Sequence, residues 1–214
     1  FQPYDTTRDD RYPHIFRFVR GVVGDGPHIR ILSFGCSTGE EVFSLRRHFP
    51  TATIVGIDIN PRNIKVCDER LAQRGGDPGL VFKLADRVAA EPIESFDAIF
   101  AMAVFRHGDL GAAPPQCDHL IRFERFEHLT GELAGSLKPG GVLAIRHANF
   151  RFSDTRHAAC FEQVYQAGSA PDARPAPVYG RDDRLLVGVV ADDGVYRKGT
   201  GGVSETKRRQ LSSG

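Results

Sequence analysis

The sequence lacks any apolar run long enough to cross a membrane. Its longest runs, such as Ala98 to Phe105, fall far short of the roughly 20 residues that a membrane-spanning helix needs. No charged-then-apolar leader opens the chain, although the first residue is Phe and not Met. These absences predict a cytoplasmic protein without a membrane partner.

Paired cysteines and an excess of charge are also missing. The four cysteines form no C-x-x-C pair, and no His/Asp/Glu cluster has metal-ligand spacing, so we predict buried free thiols and no metal site. The chain carries 28 basic and 27 acidic residues, which leaves a net charge of +1. A protein that binds nucleic acid usually has a concentrated basic face, so the composition predicts no such partner.

What the chain does contain is enough apolar sequence for one well-buried domain, 41% of 214 residues. Apolar periodicity and turn residues predict strands that alternate with helices, and this order implies a parallel α/β sheet with helices on both faces. The predicted helices are His14 to Val23, Gly39 to His48, Asn60 to Gly75 and Asp118 to Leu137. The predicted strands are 30–34, 52–58, 80–86, 96–105 and 142–147, the last one after a tight turn at Lys138 to Gly141.

The end of the chain predicts an antiparallel edge. Two short apolar segments, 185–190 and 194–198, flank an Asp-Asp-Gly sequence that is typical of a hairpin turn. The stretch 167–184 is rich in Pro, Asp, Ala and Gly, which indicates a loop. We therefore predict a single domain over residues 1–198 and a disordered tail over 199–214.

Ligands of such sheets bind at the carboxyl ends of the strands. That edge brings together Gly35 to Glu40, Asp58, Asp86 and Ala101 to His107. The first of these segments contains Gly-Cys-Ser-Thr-Gly, which fits the G-x-S-x-G pattern of hydrolases. A nucleophilic serine needs a sheet built before it and an earlier oxyanion donor, and this sequence offers neither.

Two cofactors remain as alternatives. Asp58 lies 23 residues after Gly35 (58 − 35), where dinucleotide-binding proteins have a ribose-binding carboxylate. Glu40, however, replaces the third glycine of that fingerprint, and Glu41 follows, so two carboxylates would face the pyrophosphate. S-adenosylmethionine has no phosphate and is cationic at its sulfonium and ammonium groups, so acidic residues favour it. Asp58 would then accept from the ribose hydroxyls and Asp86 from the adenine amino group.

Five segments in order carry a family resemblance, namely "ILSFGCSTGEE", "VGIDIN", "LAD", "FDAIFAMAVF" and "LKPGGVLAI". They resemble the class I S-adenosylmethionine-dependent methyltransferases. The resemblance implies a Rossmann-like, mostly parallel seven-stranded sheet with an antiparallel edge hairpin, and S-adenosylmethionine as the cofactor. It implies cofactor contacts at Gly35, Cys36, Ser37, Thr38, Gly39, Glu40, Asp58, Ile59, Asp86, Ala101 and Met102.

The loop "CSTGEEVFSL" also resembles that of the chemotaxis-receptor methyltransferases. At the position of Ser33 most class I enzymes have an acidic residue, and the chemotaxis-receptor enzymes share its replacement. The resemblance implies that Glu40 takes over a cofactor contact. Replacing Glu40 with Gln is then expected to weaken cofactor binding. The chain has Ala103 where those enzymes have Asn, and no room for their N-terminal and receptor-docking parts, so the receptor substrate is not implied.

The methyl acceptor decides whether a base is needed, because a hydroxyl must lose its proton and a carboxylate is already ionised. His107 and His147 follow the fourth and fifth predicted strands and are the candidate bases. Several polar side chains near them are candidates for holding an anionic or polyhydroxyl acceptor, namely Arg106, Arg146, Asn149 and Arg151. The fourth-strand segment lacks the Asn/Asp-Pro-Pro-Tyr/Phe tetrapeptide of nucleic-acid amino-methyltransferases, which again argues against nucleic acid.

The leading hypothesis from the sequence is methylation of an oxygen on a small molecule, a sugar or a natural product. One alternative is a carboxyl methyltransferase that acts on a protein or peptide. Another is a nucleotide-binding domain that holds the cofactor without chemistry.

Overall fold

The computed structural model describes residues 9–88, 90–168 and 176–200, and strands alternate with helices through most of them. The helices are α1 (Pro13–Val23), α2 (Glu40–His48), α3 (Pro61–Gln73) and α4 (Phe123–Ser136). The strands are β1 (Arg30–Phe34), β2 (Thr53–Asp58), β3 (Leu80–Leu84), β4 (Phe96–Met102), β5 (Leu137–Arg146), β6 (Phe161–Gln166) and β7 (Gly194–Lys198).

These strands form one seven-stranded sheet in the order β3-β2-β1-β4-β5-β7-β6. The first five strands of that order run parallel, whereas β7 is antiparallel to β5 and β6 is antiparallel to β7. The predicted Rossmann-like architecture, mostly parallel with an antiparallel edge, is therefore confirmed. The order reverses between β1 and β4, which is where ligands of open α/β sheets bind.

One helix begins at a local capping group and another at a group from a distant segment. The side-chain oxygen of Asn60 accepts from the Arg62 N–H at 3.0 Å, and Pro61 fills the first helical position, so α3 begins there as predicted. The helix predicted from Asp118 begins instead at Phe123. The Asp183 carboxylate accepts from the Phe123 N–H at 2.6 Å, and this cap comes from a distant segment that local pattern cannot supply.

Side chains alternate along each strand, so the sheet contributes to a core on both faces. On one face Leu32 and Ile99 share a core with Phe126, Leu129 and Leu133 of α4. On the other face Ile31 and Phe100 share a core with residues of the first three helices, namely Ile15, Phe16, Val42, Leu45 and Cys67. Helices therefore cover both faces, as the sequence predicts.

One predicted turn lies inside a strand, and the other is wrong. The stretch Lys138 to Gly141 lies within β5, where the left-handed Gly140 accompanies a shift in pairing near Phe96. The predicted hairpin is replaced by pairing of β7 with β6 and β5, and 185–190 is not a strand. The reason lies in the predicted turn residues, whose carboxylates accept N–H groups of other segments: Asp192 from Phe152 and Ser153, Asp193 from His147.

This edge arrangement brings one more segment to the carboxyl ends of the parallel strands. Gly194 pairs with Ile145 near the end of β5 and with Gln166 at the end of β6. The connection 167–193 therefore leaves and re-enters the sheet at that edge. Of this connection, residues 169–175 lie outside the described ranges, as do residues 201–214 of the predicted tail.

Neither a membrane-spanning helix nor a metal-binding cluster occurs among the described residues. None of their helices is long and apolar enough to cross a membrane. Within them, no group of three or more His, Cys, Asp or Glu side chains is placed to hold a metal ion.

Candidate functional site

The loop between β1 and α2 is held tightly against the neighbouring strands. The backbone N–H groups of Gly35 and Cys36 both donate to the Ile57 carbonyl oxygen at 2.9 Å. Gly35 has φ +75°, a left-handed conformation that favours glycine. A Cβ atom there would lie 2.5 Å from Val104 Cγ2, so only glycine fits against the segment after β4.

Two buried thiols contact the backbone of the same loop. The Cys36 and Cys67 thiols both donate to the Ser37 carbonyl oxygen, at Sγ–O distances of 3.8 and 3.3 Å. The hydrogen bond with Cys67, followed by burial, raises the pKa of Cys36 well above its ordinary value. Cys36 therefore stays protonated, and the two sulfur contacts stabilise the loop. Gly39 then turns the chain into α2 with φ +91°.

Asp58, at the end of β2, organises the loop through three donors. Its Oδ2 atom accepts from the Ser37 N–H at 2.8 Å. Its Oδ1 atom accepts from the Asn60 N–H at 2.8 Å and from the Asn63 side-chain amide at 3.2 Å. A carboxylate offers about four lone-pair sites, so Oδ2 keeps one for a further donor.

The two other residues predicted on this side differ in their surroundings. Ile59 directly follows Asp58 and is 71% exposed, which is unusual for a large apolar side chain at a strand end. Asp86 is exposed and lies 3.6 Å from Arg125 of α4 and 3.9 Å from Arg87. The Ala85 N–H donates to the Asp58 carbonyl oxygen, so Asp86 comes close to the crevice while its carboxyl group takes part in surface ion pairs.

The two glutamates that open α2 have different partners. Glu40 accepts from the Thr38 hydroxyl at 2.7 Å and from Arg70 of α3 at 2.5 Å. Burial raises the pKa of Glu40, but these two contacts outweigh burial and the pKa lies below its ordinary value. Glu40 is thus neutralised by a cation of its own chain.

Glu41 instead turns toward the sheet. It accepts from the Ser33 hydroxyl at 2.7 Å, and Ser33 is the buried residue that stands where most class I enzymes have an acid. Burial raises the pKa of Glu41 to about 7, against the opposing effect of the Ser33 hydrogen bond. The side chain is only partly exposed, and the charge of Arg11 also lowers its pKa. A carboxylate of α2 therefore contacts the Ser33 side chain of β1.

Tyr12 directly precedes α1. It is 6% exposed, and its hydroxyl oxygen is buried with no hydrogen-bond partner among the described residues. Its ring lies 5.8 Å, centroid to centroid, from the ring of His147. Burial raises the pKa of Tyr12 to about 12, so the phenol keeps its proton.

His147, at the end of β5, lies among positive charges. Burial lowers the pKa of His147 to about 4, and the charges of Arg146, Arg11 and Arg106 add to the effect. Arg146 is occupied, since it donates to the carbonyl oxygens of Ala167 and Gly168 at 2.9 and 2.8 Å. Arg106 has a buried Nε atom without a partner and forms no ion pair with any described residue.

The other candidates near β4 and β5 support the backbone. Asn149 is buried; its Oδ1 atom accepts from the His107 N–H at 2.9 Å, and its amide donates to the Pro177 carbonyl oxygen at 2.7 Å. His107 accepts from the Asp109 N–H, and Arg151 pairs with Asp154.

The structure thus brings the loop, Asp58, Ile59 and the end of β4 to one edge. Ala101 and Met102 are buried in opposite cores there, so only their backbone can border the crevice. Sequence reasoning missed Glu41 as the residue that faces Ser33, and it missed Tyr12. The serine in place of an acid is a signal for a substitute carboxylate, but only the packing of α2 identifies which glutamate fills the place.

Two named relatives give the scale of similarity. Trans-aconitate 2-methyltransferase of Methylobacterium radiotolerans is 29% identical over 67% of this chain and 46% of its own. The protein of the same name from Deinococcus radiodurans is 29% identical over 83% of this chain and 64% of its own. The chain spans about half the length of the curated relatives that it matches.

A solved structure supports the fold. The crystal structure of the cyclase SpnF is 22% identical, covers 72% of this chain and 59% of its own, and has a TM-score of 0.51. A shared fold does not decide the reaction. The chain also matches the model of a methyltransferase domain over residues 25–179, more than half of its length. The chain therefore belongs to the methyltransferase-domain family, as the class I resemblance of its motifs predicts.

Proposed function

We propose that the protein transfers a methyl group from S-adenosylmethionine to a carboxylate oxygen of a small acidic molecule. The observation that carries the choice of acceptor is Arg106, a guanidinium that forms no ion pair with any described acid and whose charge acts on His147. Relatives named trans-aconitate 2-methyltransferase support the same acceptor chemistry.

The residues of the loop side fit the cofactor. Asp58 keeps a lone-pair site for ribose hydroxyls, and the exposed Ile59 offers an apolar surface for adenine. Glu41 forms no ion pair among the described residues, although the charge of Arg11 acts on it, and it suits the cofactor's ammonium group, whereas Glu40 already pairs with Arg70. Gly35 lets the backbone come close to the ligand.

The proposed mechanism relies on positioning. When bound, S-adenosylmethionine supplies an electrophilic methyl group on its sulfonium sulfur. Glu41 and Asp58 hold the two ends of the donor, and Arg106 holds the acceptor carboxylate in line. Orientation of two reactants contributes on the order of 7–11 kcal/mol to lowering a barrier. An ionised carboxylate attacks without losing a proton, so no general base is required.

The lowered pKa of His147 favours a carboxylate as the methyl acceptor. The leading hypothesis from the sequence is a hydroxyl acceptor. A general base works best with a pKa near the working pH, and burial lowers the pKa of His147 to about 4. A neutral imidazole of that kind is a weak proton acceptor. It can still donate a hydrogen bond to an anionic acceptor beside Arg106.

The test compares acceptors and variants. Wild-type protein with methyl-labelled S-adenosylmethionine is expected to form a methyl ester of trans-aconitate, detected by mass spectrometry, and no product with a neutral sugar. Arg106→Met should raise the KM for the acid about 10- to 100-fold, the loss expected for a hydrogen bond to a charged group. Its affinity for S-adenosylhomocysteine should not change.

Arg20→Met is the matched control, because Arg20 is exposed on α1 away from the crevice. Methylation of the sugar hydroxyl, with Arg106→Met as active as wild type, would contradict the proposal. Binding of the cofactor with no acid methylated would favour the non-catalytic alternative.

A further inference from the structure

Tyr12 carries an unmet hydrogen-bonding group at the wall of the proposed cofactor site. Its phenol oxygen is buried, and no group of residues 9–88, 90–168 or 176–200 pairs with it. A buried hydroxyl without a partner costs free energy, and such groups in native structures call for an explanation, such as a bound ligand. Tyr12 belongs to no motif of the family resemblance.

The charges around the Tyr12 hydroxyl define what it faces. Arg11, Glu41, Arg146 and Asp193 are the charged groups that act on it. The Arg11 guanidinium carbon lies 5.2 Å from the ring centroid. Since the Tyr12 ring also lies 5.8 Å from the His147 ring, the Tyr12 side chain lies near the end of β5, where the charges of Glu41 and Arg146 act on its hydroxyl.

A ligand for this position needs an acceptor beside a cation. The phenol keeps its proton and can donate, and Glu41 next to it suits a positive group. An amino acid zwitterion presents an ammonium and a carboxylate within one small unit. The methionine part of the proposed cofactor is such a unit, and its carboxylate is the cofactor's single negative group.

We propose that the Tyr12 hydroxyl donates a hydrogen bond to the carboxylate of bound S-adenosylmethionine while Glu41 holds the neighbouring ammonium group. This inference rests on the proposed function, because it deepens the same site. It makes Tyr12 a binding residue for the donor and not for the methyl acceptor.

The test uses two ligands that differ in one group. Isothermal titration measures the affinity of wild type and Tyr12→Phe for S-adenosylhomocysteine and for S-adenosyl-3-thiopropylamine, which lacks the carboxylate. We expect Tyr12→Phe to bind S-adenosylhomocysteine about tenfold more weakly than wild type, as for loss of a hydrogen bond to a charged group. The two proteins should bind the decarboxylated ligand equally.

Tyr179→Phe is the matched control. The Tyr179 hydroxyl is also buried with no hydrogen-bond partner among the described residues. Tyr179, however, is fully buried in the core between the sheet and α4. Both substitutions remove an unpaired buried hydroxyl, so neither should lower the melting temperature of the ligand-free protein. Only Tyr12→Phe should lose affinity for S-adenosylhomocysteine.

Several outcomes would overturn the inference. Equal loss of affinity for both ligands would make the role of Tyr12 structural, and a raised acceptor KM with unchanged S-adenosylhomocysteine affinity would place Tyr12 at the acceptor. Unchanged affinity of Tyr12→Phe would overturn this inference alone. No binding of S-adenosylhomocysteine by wild type would overturn the proposed cofactor and this inference together.

Discussion

The two sides of the crevice are built in different ways. On the side proposed for the cofactor, the Asp58 carboxylate accepts from backbone N–H groups of the loop after β1 and of Asn60 before α3. On the side proposed for the acceptor, Arg106, His147 and Asp193 come from three distant segments. The first side is built from a local motif, whereas the second is assembled by the tertiary fold.

The largest expected effect comes from Asp58→Ala on the cofactor side. Three donors, on Ser37, Asn60 and Asn63, lose their acceptor. We expect the free energy of unfolding to fall by about 4 kcal/mol, given about 1–3 kcal/mol for each buried group left unpaired. Affinity for S-adenosylhomocysteine should fall more than about 100-fold as the loop loosens. Urea denaturation and titration calorimetry measure the two quantities.

Asp25→Ala is the matched control for this variant. Asp25 also accepts backbone N–H groups, from Thr51 and Ala52, but before the start of β2 and so at the opposite edge of the sheet. It should lower stability by about 1 kcal/mol and leave cofactor affinity unchanged. Similar losses of affinity in both variants would mean that Asp58 acts through global stability alone.

The next largest effect concerns the contact between the loop after β1 and the segment after β4. Gly35→Ala would place a Cβ atom 2.5 Å from Val104 Cγ2 at φ +75°. We expect a loss of about 3 kcal/mol in unfolding free energy, from left-handed strain together with overpacking. Gly76→Ala has the same φ of +75° with nothing within 4 Å, and should lose only about 1 kcal/mol. If Val104→Ala does not rescue Gly35→Ala, the contact is not the cause.

The smallest effect is a pH dependence that separates Glu41 from Glu40. Burial raises the pKa of Glu41 to about 7, above its unfolded value. Its favourable contribution is therefore present below about pH 4.5 and is lost as the pH rises through 7. Relative to Glu41→Gln, wild type should lose roughly 2 kcal/mol of stability between pH 5 and pH 8, since one pKa unit corresponds to about 1.4 kcal/mol.

Glu40→Gln provides the contrast for that measurement. The pKa of Glu40 lies below its ordinary value, so its contribution is present above the unfolded pKa and is lost only in acid. Denaturation at pH 5 and pH 8 should show no change in the difference between wild type and Glu40→Gln. A larger pH-dependent difference for Glu40→Gln would reverse the roles that the structure indicates.

Much of the cofactor side follows from sequence patterns, because its signals are local. Gly35 and Gly39 adopt the left-handed conformations that glycine-rich turns require, and Asn60 caps α3 as predicted. The fold order also follows, since β-strands buried on both faces read as continuous apolar runs. The prediction for Glu40 stays a prediction, but local pattern alone could not choose between two adjacent glutamates.

The antiparallel edge was predicted only in outline. Local pattern placed β7 correctly and paired it with the wrong segment, because the carboxylates of Asp192 and Asp193 serve other segments and do not form a turn. Long-range caps of this kind have no signature in a short window of sequence. The same holds for Asp183, which sets the start of α4 from a distance.

By itself the sequence determined the alternation of strands and helices, the glycine turn after β1 and the carboxylate that ends β2. These features depend on hydrophobic period and on backbone conformations that particular residue types favour. The tertiary structure alone decided that Glu41 accepts from Ser33, that the Tyr12 hydroxyl is buried with no partner among the described residues, and that the charge of Arg106 acts on His147. Such pairings arise when distant elements pack into one crevice, and burial then sets the protonation of the groups that meet there.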